Sequence, residues 1–202
     1  MTKIKLCGLS RPCDIEAANE LKPEYIGFVF AKGSRRYVSP ETASGLKQLL
    51  SPDIKAVGVF VNEKPETIAG LLNSGIIDMA QLHGEEDEAY IRQLRRLTEQ
   101  PIIQAFQIFH ADDTGNAEKS TADFVLLDSG AGTGTVFDWN LIRNIDRPYF
   151  LAGGLSAECA GTAVAALHPY AVDVSSGIET DGYKDQTKMA AFVAAVRKED
   201  RI

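Results

Sequence analysis

The chain has 202 residues, 45% of them hydrophobic and 24% charged, which is enough for one sizeable core and unlike the composition of a disordered protein. A formal net charge of -7 and a pI near 5.0 argue against a protein whose main business is holding nucleic acid or an anionic membrane surface, since both need a basic face, so an anionic ligand has to be held by a local site. Three scattered cysteines, Cys7, Cys13 and Cys159, argue against a disulfide framework and for a reducing cytoplasm, and with no signal core and no apolar run of ~18 residues neither export nor a membrane span is predicted.

The first strand is expected in "KIKLC" (3–7), followed by a helix that Pro12 opens within "SRPCD" (10–14), with Cys13 as a packing residue. "YIGFVF" (25–30) is the second strand, and "SPETASGLKQLL" the next helix, with Ser39 before Pro40 and Ala43, Leu46 and Leu49 or Leu50 on one face. "KAVGVFV" (55–61) and "IDMAQLH" (77–83) continue the series, with helices in "KPETIAGLLNSG" and "DEAYIRQLRRL" after them. "IIQAFQI" (102–108) and "DFVLLD" (123–128) are strands five and six; the polar "HADDTGNAEKS" and the short "DWNLIRNI" promise only weak helices after them. "YFLAGG" (149–154) and "AVDVSS" (171–176) close the series, each leading into a helical pattern, "SAECAGTAVAAL" and "DQTKMAAFVAAV".

Eight strand-like runs alternating with helices, with no two-residue hairpin signal between any two of them, imply crossovers and a parallel sheet. Eight such units in about 200 residues fit a single-domain (β/α)8 barrel over residues 1–202. A doubly wound open sheet is the alternative, because periodicity does not reveal whether the two edge strands meet.

In a barrel the chemistry lies at the C-terminal ends of the strands, and side chains alternate between lumen and helix layer. Parity turns Lys3, Lys5 and Cys7 inward in the first strand, Gln81 and His83 in the fourth, and Phe124, Leu126 and Asp128 in the sixth. A thiol, an imidazole and a carboxyl group then meet at one mouth, although each alone is as compatible with packing, capping or a turn. "LAGGLS" (151–156) offers the backbone of Gly153 and Gly154, and "DVSSGIE" (173–179) offers Ser175, Ser176 and Gly177; after strands seven and eight they make an anion cradle, which points to a phosphorylated small molecule. The basic loop "AKGSRRYVSP" (31–40) is either a solvated surface loop or the source of an arginine that grips a carboxylate at the mouth. The glycine-rich stretch 128–139 is a candidate cover for the ligand.

"KLCGLS", "GFVFAKGSRRYVSP", "GVFVNE", "QLHGEE", "LLDSGAGTGTVFDW", "LAGGLS" and "VDVSSGIE" resemble, in order and spacing from residue 3 to about 187, the motifs of the phosphoribosylanthranilate isomerase family of tryptophan biosynthesis. The resemblance implies an aldose–ketose isomerase that converts N-(5'-phosphoribosyl)anthranilate to its 1-deoxyribulose 5-phosphate isomer by an Amadori rearrangement, with no metal and no organic cofactor. It implies Cys7 as general base and Asp128 as general acid, Arg36 as the carboxylate-gripping arginine, and phosphate ligands at Gly153, Gly154, Ser175, Ser176 and Gly177. His83 then lines the site without an essential proton transfer, and Lys5 is a candidate helper for the Cys7 thiolate.

Rival readings remain at this level. A Schiff-base aldolase needs a lysine at the rim, and Lys5 lies one layer below it. A metal-dependent epimerase needs clustered ligands, which His83, His110 and His168 do not form in the sequence. A phosphate-binding barrel without chemistry would keep the cradle and lose the acid and base. A monomer is the expected state, with a homodimer as the alternative.

Overall fold

The computed structural model describes residues 1–110, 113–128, 139–142 and 145–199. Its strands are β1 Lys3–Cys7, β2 Tyr25–Val29, β3 Lys55–Phe60, β4 Met79–Leu82, β5 Ile102–Gln107, β6 Phe124–Asp128, β7 Tyr149–Ala152 and β8 Ala171–Val174. They form a closed parallel barrel in sequence order. Closure is made by β1 against β8, with Lys3 opposite Ala171 and Leu6 opposite Val174, which removes the open-sheet alternative.

Between the strands run α1 Pro12–Leu21, α2 Pro40–Leu49, α3 Pro65–Asn73, α4 Glu88–Arg95, α5 Thr114–Lys119, α6 Ala157–Leu167 and, at the end, α7 Gln186–Glu199. Helix α2 starts as its sequence predicts: the Ser39 side chain accepts from the Thr42 N–H and Pro40 occupies the first turn, where its missing N–H costs nothing. Its buried stripe runs through Ala43 and Leu46 and continues into Leu50, while Leu49 is exposed. The polar segment after β5 yields only the six-residue α5, and a 3-10 helix, Trp139–Ile142, stands between β6 and β7.

Two expectations are corrected. Cys13 is exposed rather than packed: the inward face of α1 is Asp14, Ile15, Ala17 and Ala18, and a residue one position before Asp14 points away from it. A small hairpin, β9 Glu179–Thr180 and β10 Tyr183–Lys184, also follows β8, where no apolar run predicts a strand. Its turn is Asp181–Gly182, both at positive φ (51° and 83°), the Asp-Gly pairing that a tight two-residue turn favours.

Strand parity separates two apolar layers. Ile4, Leu6, Ile26, Val125, Leu127 and Val172 pack under the helices in the outer core. Val57, Met79, Ile103, Leu126, Phe150 and Ala171 fill the lumen. The filled lumen gives the site a floor, since the barrel is packed below it and open only at its ends. Among the described residues no helix is long and apolar enough to cross a membrane.

Candidate active site

A cavity of about 320 Å³ opens at the C-terminal ends of the strands. Its lining includes Cys7, Arg36, His83, Asp128, Gly153, Gly154, Ser175 and Ser176, so eight of the nine residues singled out in the sequence share one space. Gly177 stands behind it: a Cβ there would fall 2.0 Å from the Leu155 carbonyl oxygen, so this glycine lets two loops touch. Residues 129–138 of the expected covering stretch lie outside the described residues. A larger cleft of about 540 Å³, bordered by Arg147, Pro148, His168 and Tyr170, opens near the N-terminal ends of β7 and β8, the face of this fold that does not carry chemistry.

Cys7 closes β1 and is 7% exposed, with its thiol in a small apolar collar of Val29 and Val59. Gly27 on β2 makes room for it, since a Cβ on that residue would sit 2.6 Å from Cys7 Sγ. Beneath the thiol, Lys5 is fully buried and donates to Asp173 Oδ2 at 2.8 Å, an ion pair dictated by the register in which Lys5 lies opposite Asp173. Burial disfavours the Lys5 charge, but Asp173 and Cys7 more than restore it, and its pKa lies above the ordinary lysine value.

The same surroundings act on the thiol in opposite senses. Burial pushes the Cys7 pKa up, the Lys5 ammonium pulls it down, the Asp173 carboxylate pushes it up and Lys184 pulls it down; the net direction is up. Lys5 is therefore a real but insufficient helper, because burial of the thiol outweighs it and the Asp173 carboxylate beside it acts in the opposite sense.

Across the mouth, His83 Nε2 is 3.3 Å from Asp128 Oδ2, and its Nδ1 is 2.9 Å from the side-chain amide nitrogen of Gln81. An amide N–H donated to Nδ1 leaves the ring proton on Nε2, facing the carboxyl group. Gln81 Oε1 and Asp173 Oδ1 are buried without a partner among the described residues, and both side chains line the cavity. Polar atoms left so at a cavity wall are ready for ligand hydroxyls or water.

The anion cradle takes its shape from unusual backbone. Gly153 and Gly154 have φ of 94° and 64°, a region costly for other residues, and they lead into α6, whose first turn follows Ser156. Ser175 donates to the Cys7 carbonyl oxygen at 3.2 Å, tying the cradle to the end of β1. Lys184, 8% exposed, donates to the Ser175 carbonyl oxygen at 2.8 Å. Burial lowers its pKa despite the neighbouring carboxylate of Glu179.

Arg36 already holds a carboxylate, and it belongs to this chain. Its Nε and Nη2 donate to Glu179 Oε1 and Oε2 at 2.6 and 2.9 Å. Glu179, Lys184 and Asp173 are site residues that the sequence reading does not single out, while Gln81 is turned to the lumen by parity but given no role. For Asp173 and Gln81 the signal was present, since both are polar residues at inward parity in apolar strands; for the hairpin pair it was not, because their place depends on a turn outside the barrel pattern. Among the described residues no group of three or more His, Cys, Asp and Glu is arranged to hold a metal ion.

The chain is similar in sequence and fold to known proteins. Residues 4–195 match the family model described as N-(5'phosphoribosyl)anthranilate (PRA) isomerase. The chain is 42% identical over 202 residues to the N-(5'-phosphoribosyl)anthranilate isomerase of Endomicrobium trichonymphae, covering 98% of this chain and 99% of that one. It superposes with a TM-score of 0.91 at 34% identity on the phosphoribosyl anthranilate isomerase of Thermotoga maritima, covering 98% of this chain and 100% of the other. A second solved structure, of a phosphoribosyl anthranilate isomerase in complex with reduced 1-(o-carboxyphenylamino)-1-deoxyribulose 5-phosphate, superposes with a TM-score of 0.88 at 34% identity, covering 98% of this chain and 100% of the other.

Proposed function

The chain belongs to the N-(5'-phosphoribosyl)anthranilate isomerase family, and from that premise we propose how its own side chains divide the work. The reaction converts N-(5'-phosphoribosyl)anthranilate to 1-(2-carboxyphenylamino)-1-deoxyribulose 5-phosphate in tryptophan biosynthesis. Residues 1–202 act as one catalytic domain in this reading, on a small phosphorylated substrate, with no metal or organic cofactor.

Asp128 is the general acid. It protonates the furanose ring oxygen while the anthranilate nitrogen lone pair forms the C1'=N bond and the C1'–O bond breaks. Cys7 is the general base. As a thiolate it removes the C2' proton of the resulting iminium, and the electron pair moves into a C1'=C2' enamine. Tautomerisation to the ketose puts a proton on C1' and releases one from the C2' hydroxyl, so the acid and base return to their starting states.

The raised Cys7 pKa constrains how the pair is protonated. The proposed roles require the Asp128 carboxyl group to carry a proton and the Cys7 thiol to be ionised in the competent state. Burial opposes the thiolate in this arrangement, and the ammonium groups of Lys5 and Lys184 reduce that cost. His83, through the Nε2 proton that Gln81 leaves facing Asp128, steadies the carboxylate once the acid has given up its proton.

Gly153, Gly154, Ser175, Ser176 and Gly177 hold the phosphate, and Arg36 holds the anthranilate carboxylate. The observation that carries the assignment is that Cys7 and Asp128, at the ends of the first and sixth strands, line one cavity together with the glycine and serine loops. The test is turnover of phosphoribosylanthranilate generated in situ, followed by loss of its fluorescence. Wild type should turn over, while Cys7→Ser and Asp128→Asn should each lose at least about 100-fold in kcat; full activity in both variants would refute the acid and base roles.

The protein works in the cytoplasm, consistent with three free thiols, and as a monomer. Its exposed large apolar side chains, among them Leu49, Leu97 and Phe109, come from different parts of the chain. Light scattering at the monomer mass of 21.9 kDa is the expected result, and twice that mass would support the homodimer instead.

A further inference from the structure

Glu179 sits on the hairpin beyond β8, 5% exposed at its side chain, and gathers three cations. Arg36 donates from Nε and Nη2, Arg35 Nη2 donates to Oε2 at 2.6 Å, and Lys184 Nζ donates to Oε1 at 2.7 Å. Three positive charges on one negative charge leave a local surplus, in a chain whose net charge is -7. The carboxyl pKa is held down at about 2 against the cost of burial, so Glu179 is charged at any working pH.

The geometry of the grip decides what is left over. A guanidinium has five N–H donors in one plane. Glu179 takes the side edge, formed by Nε and one hydrogen of Nη2. The end edge, formed by Nη1 and the other hydrogen of Nη2, stays available to a second carboxylate in the same bidentate manner. The stem of Arg36 is fixed as well: it lies against Gly8, where a Cβ would come within 2.6 Å of Arg36 Cδ. The hairpin is in turn bolted to the cradle, because Lys184 donates both to Glu179 and to the Ser175 carbonyl oxygen.

We infer that Glu179 is a positioning residue for substrate recognition: it holds Arg36 side-on so that the end edge of the guanidinium is presented, already oriented, to the carboxylate of the aromatic ring. This rests on the assignment of Arg36 to that carboxylate. The competing reading of the same contacts is that Glu179 occupies the arginine in place of the substrate and must be displaced, and the two predict opposite signs. Loss of the anchor raises KM in the first case, and loss of the competitor lowers it in the second.

The experiment is steady-state kinetics of wild type, Glu179→Gln, Arg36→Ala and the double variant. Two substrates are compared: phosphoribosylanthranilate, and N-(5'-phosphoribosyl)aniline, which lacks the ring carboxylate. For Glu179→Gln, KM for the first substrate should rise about tenfold with kcat within twofold, KM for the second should match wild type, and the added effect in the Arg36→Ala background should be less than twofold. An unchanged or lowered KM in Glu179→Gln, with KM raised in Arg36→Ala, overturns the positioning role and leaves the Arg36 assignment standing. An unchanged KM in Arg36→Ala removes that assignment itself. A Glu179→Gln defect equal for both substrates, or undiminished in the double variant, overturns the proposal as a general structural effect. If Glu179→Gln does not fold, Glu179→Asp, which withdraws the carboxylate by one methylene, carries the same expectations.

Discussion

Lys5 and Asp173 face each other across the seam that closes the barrel, and their 2.8 Å ion pair forms the charged floor beneath Cys7. Lys5 has no solvent exposure and Asp173 is 8% exposed, so neither charge is hydrated well enough to stand alone.

Lys5→Met should therefore destabilise the fold by about 3–5 kcal/mol, because it leaves the Asp173 charge uncompensated. The double variant Lys5→Met/Asp173→Leu should recover most of that loss. Urea denaturation of the three proteins measures it, and a double variant no more stable than Lys5→Met alone would contradict the ion-pair account.

The thiol of Cys7 should be a slow nucleophile in the free enzyme. Burial raises its pKa, so the thiolate fraction that reacts with iodoacetamide is small near neutral pH and grows as pH rises through that raised value. Exposed Cys13 is the internal reference. Mass spectrometry of alkylation against pH should show Cys13 labelled first and Cys7 labelled with a midpoint above that of a free thiol. Equal labelling rates at pH 7 would mean that the thiol is ionised in the resting enzyme.

Gly27→Ala places a methyl group 2.6 Å from Cys7 Sγ, with β2 backbone behind it, so the thiol must move. A displacement of this size at a proton-transfer group should lower kcat at least about tenfold. The cradle meets the changed site only through the Ser175 hydroxyl on the Cys7 carbonyl oxygen, so affinity for inorganic phosphate should fall less than kcat does, as isothermal titration would show. Wild-type kcat in Gly27→Ala would mean that the position of the thiol is not critical.

His83→Ala separates support from proton transfer. The ring faces Asp128 at 3.3 Å, a long contact, and its loss should lower kcat by less than about tenfold, against the 100-fold or more expected for Asp128→Asn. Stopped-flow single turnovers on both variants give the comparison. Equal losses would promote His83 to the acid–base machinery.

Glu179 should contribute to acid sensitivity. Its folded pKa, about 2, lies below the roughly 4.3 of an unfolded glutamate. A depressed carboxyl pKa stabilises the fold above the unfolded value, and that contribution is lost as pH falls through the folded one. The stability gap between wild type and Glu179→Gln should be widest above about pH 5 and narrow as pH falls toward 2. A gap independent of pH would mean that the interaction does not depend on charge.

Much of the site is legible in the residues alone. Period-two alternation in "KIKLC" and "DFVLLD" turns Cys7 and Asp128 to the lumen, and the glycine and serine pairs after the last two strands mark the cradle, because these are local properties of strand geometry and backbone freedom. Cys13 is misjudged by local pattern, since Pro12 fixes where α1 begins but not which side it turns to the sheet. Asp181–Gly182 is a turn signal, yet a hairpin of two-residue strands has no apolar run to flag it.

By itself, the sequence determined the number and chain order of the eight barrel strands, the inward parity of their polar residues and the likeness to one isomerase family. Only the tertiary structure decided that β1 meets β8, that Lys5 is bound to Asp173 168 positions away, and that Arg36 is held by Glu179 143 positions away. The division follows from range. Alternation and turn chemistry act between neighbours in the chain, whereas closure, ion pairing and the pKa of a buried thiol depend on distances through space that exist only once the barrel has closed.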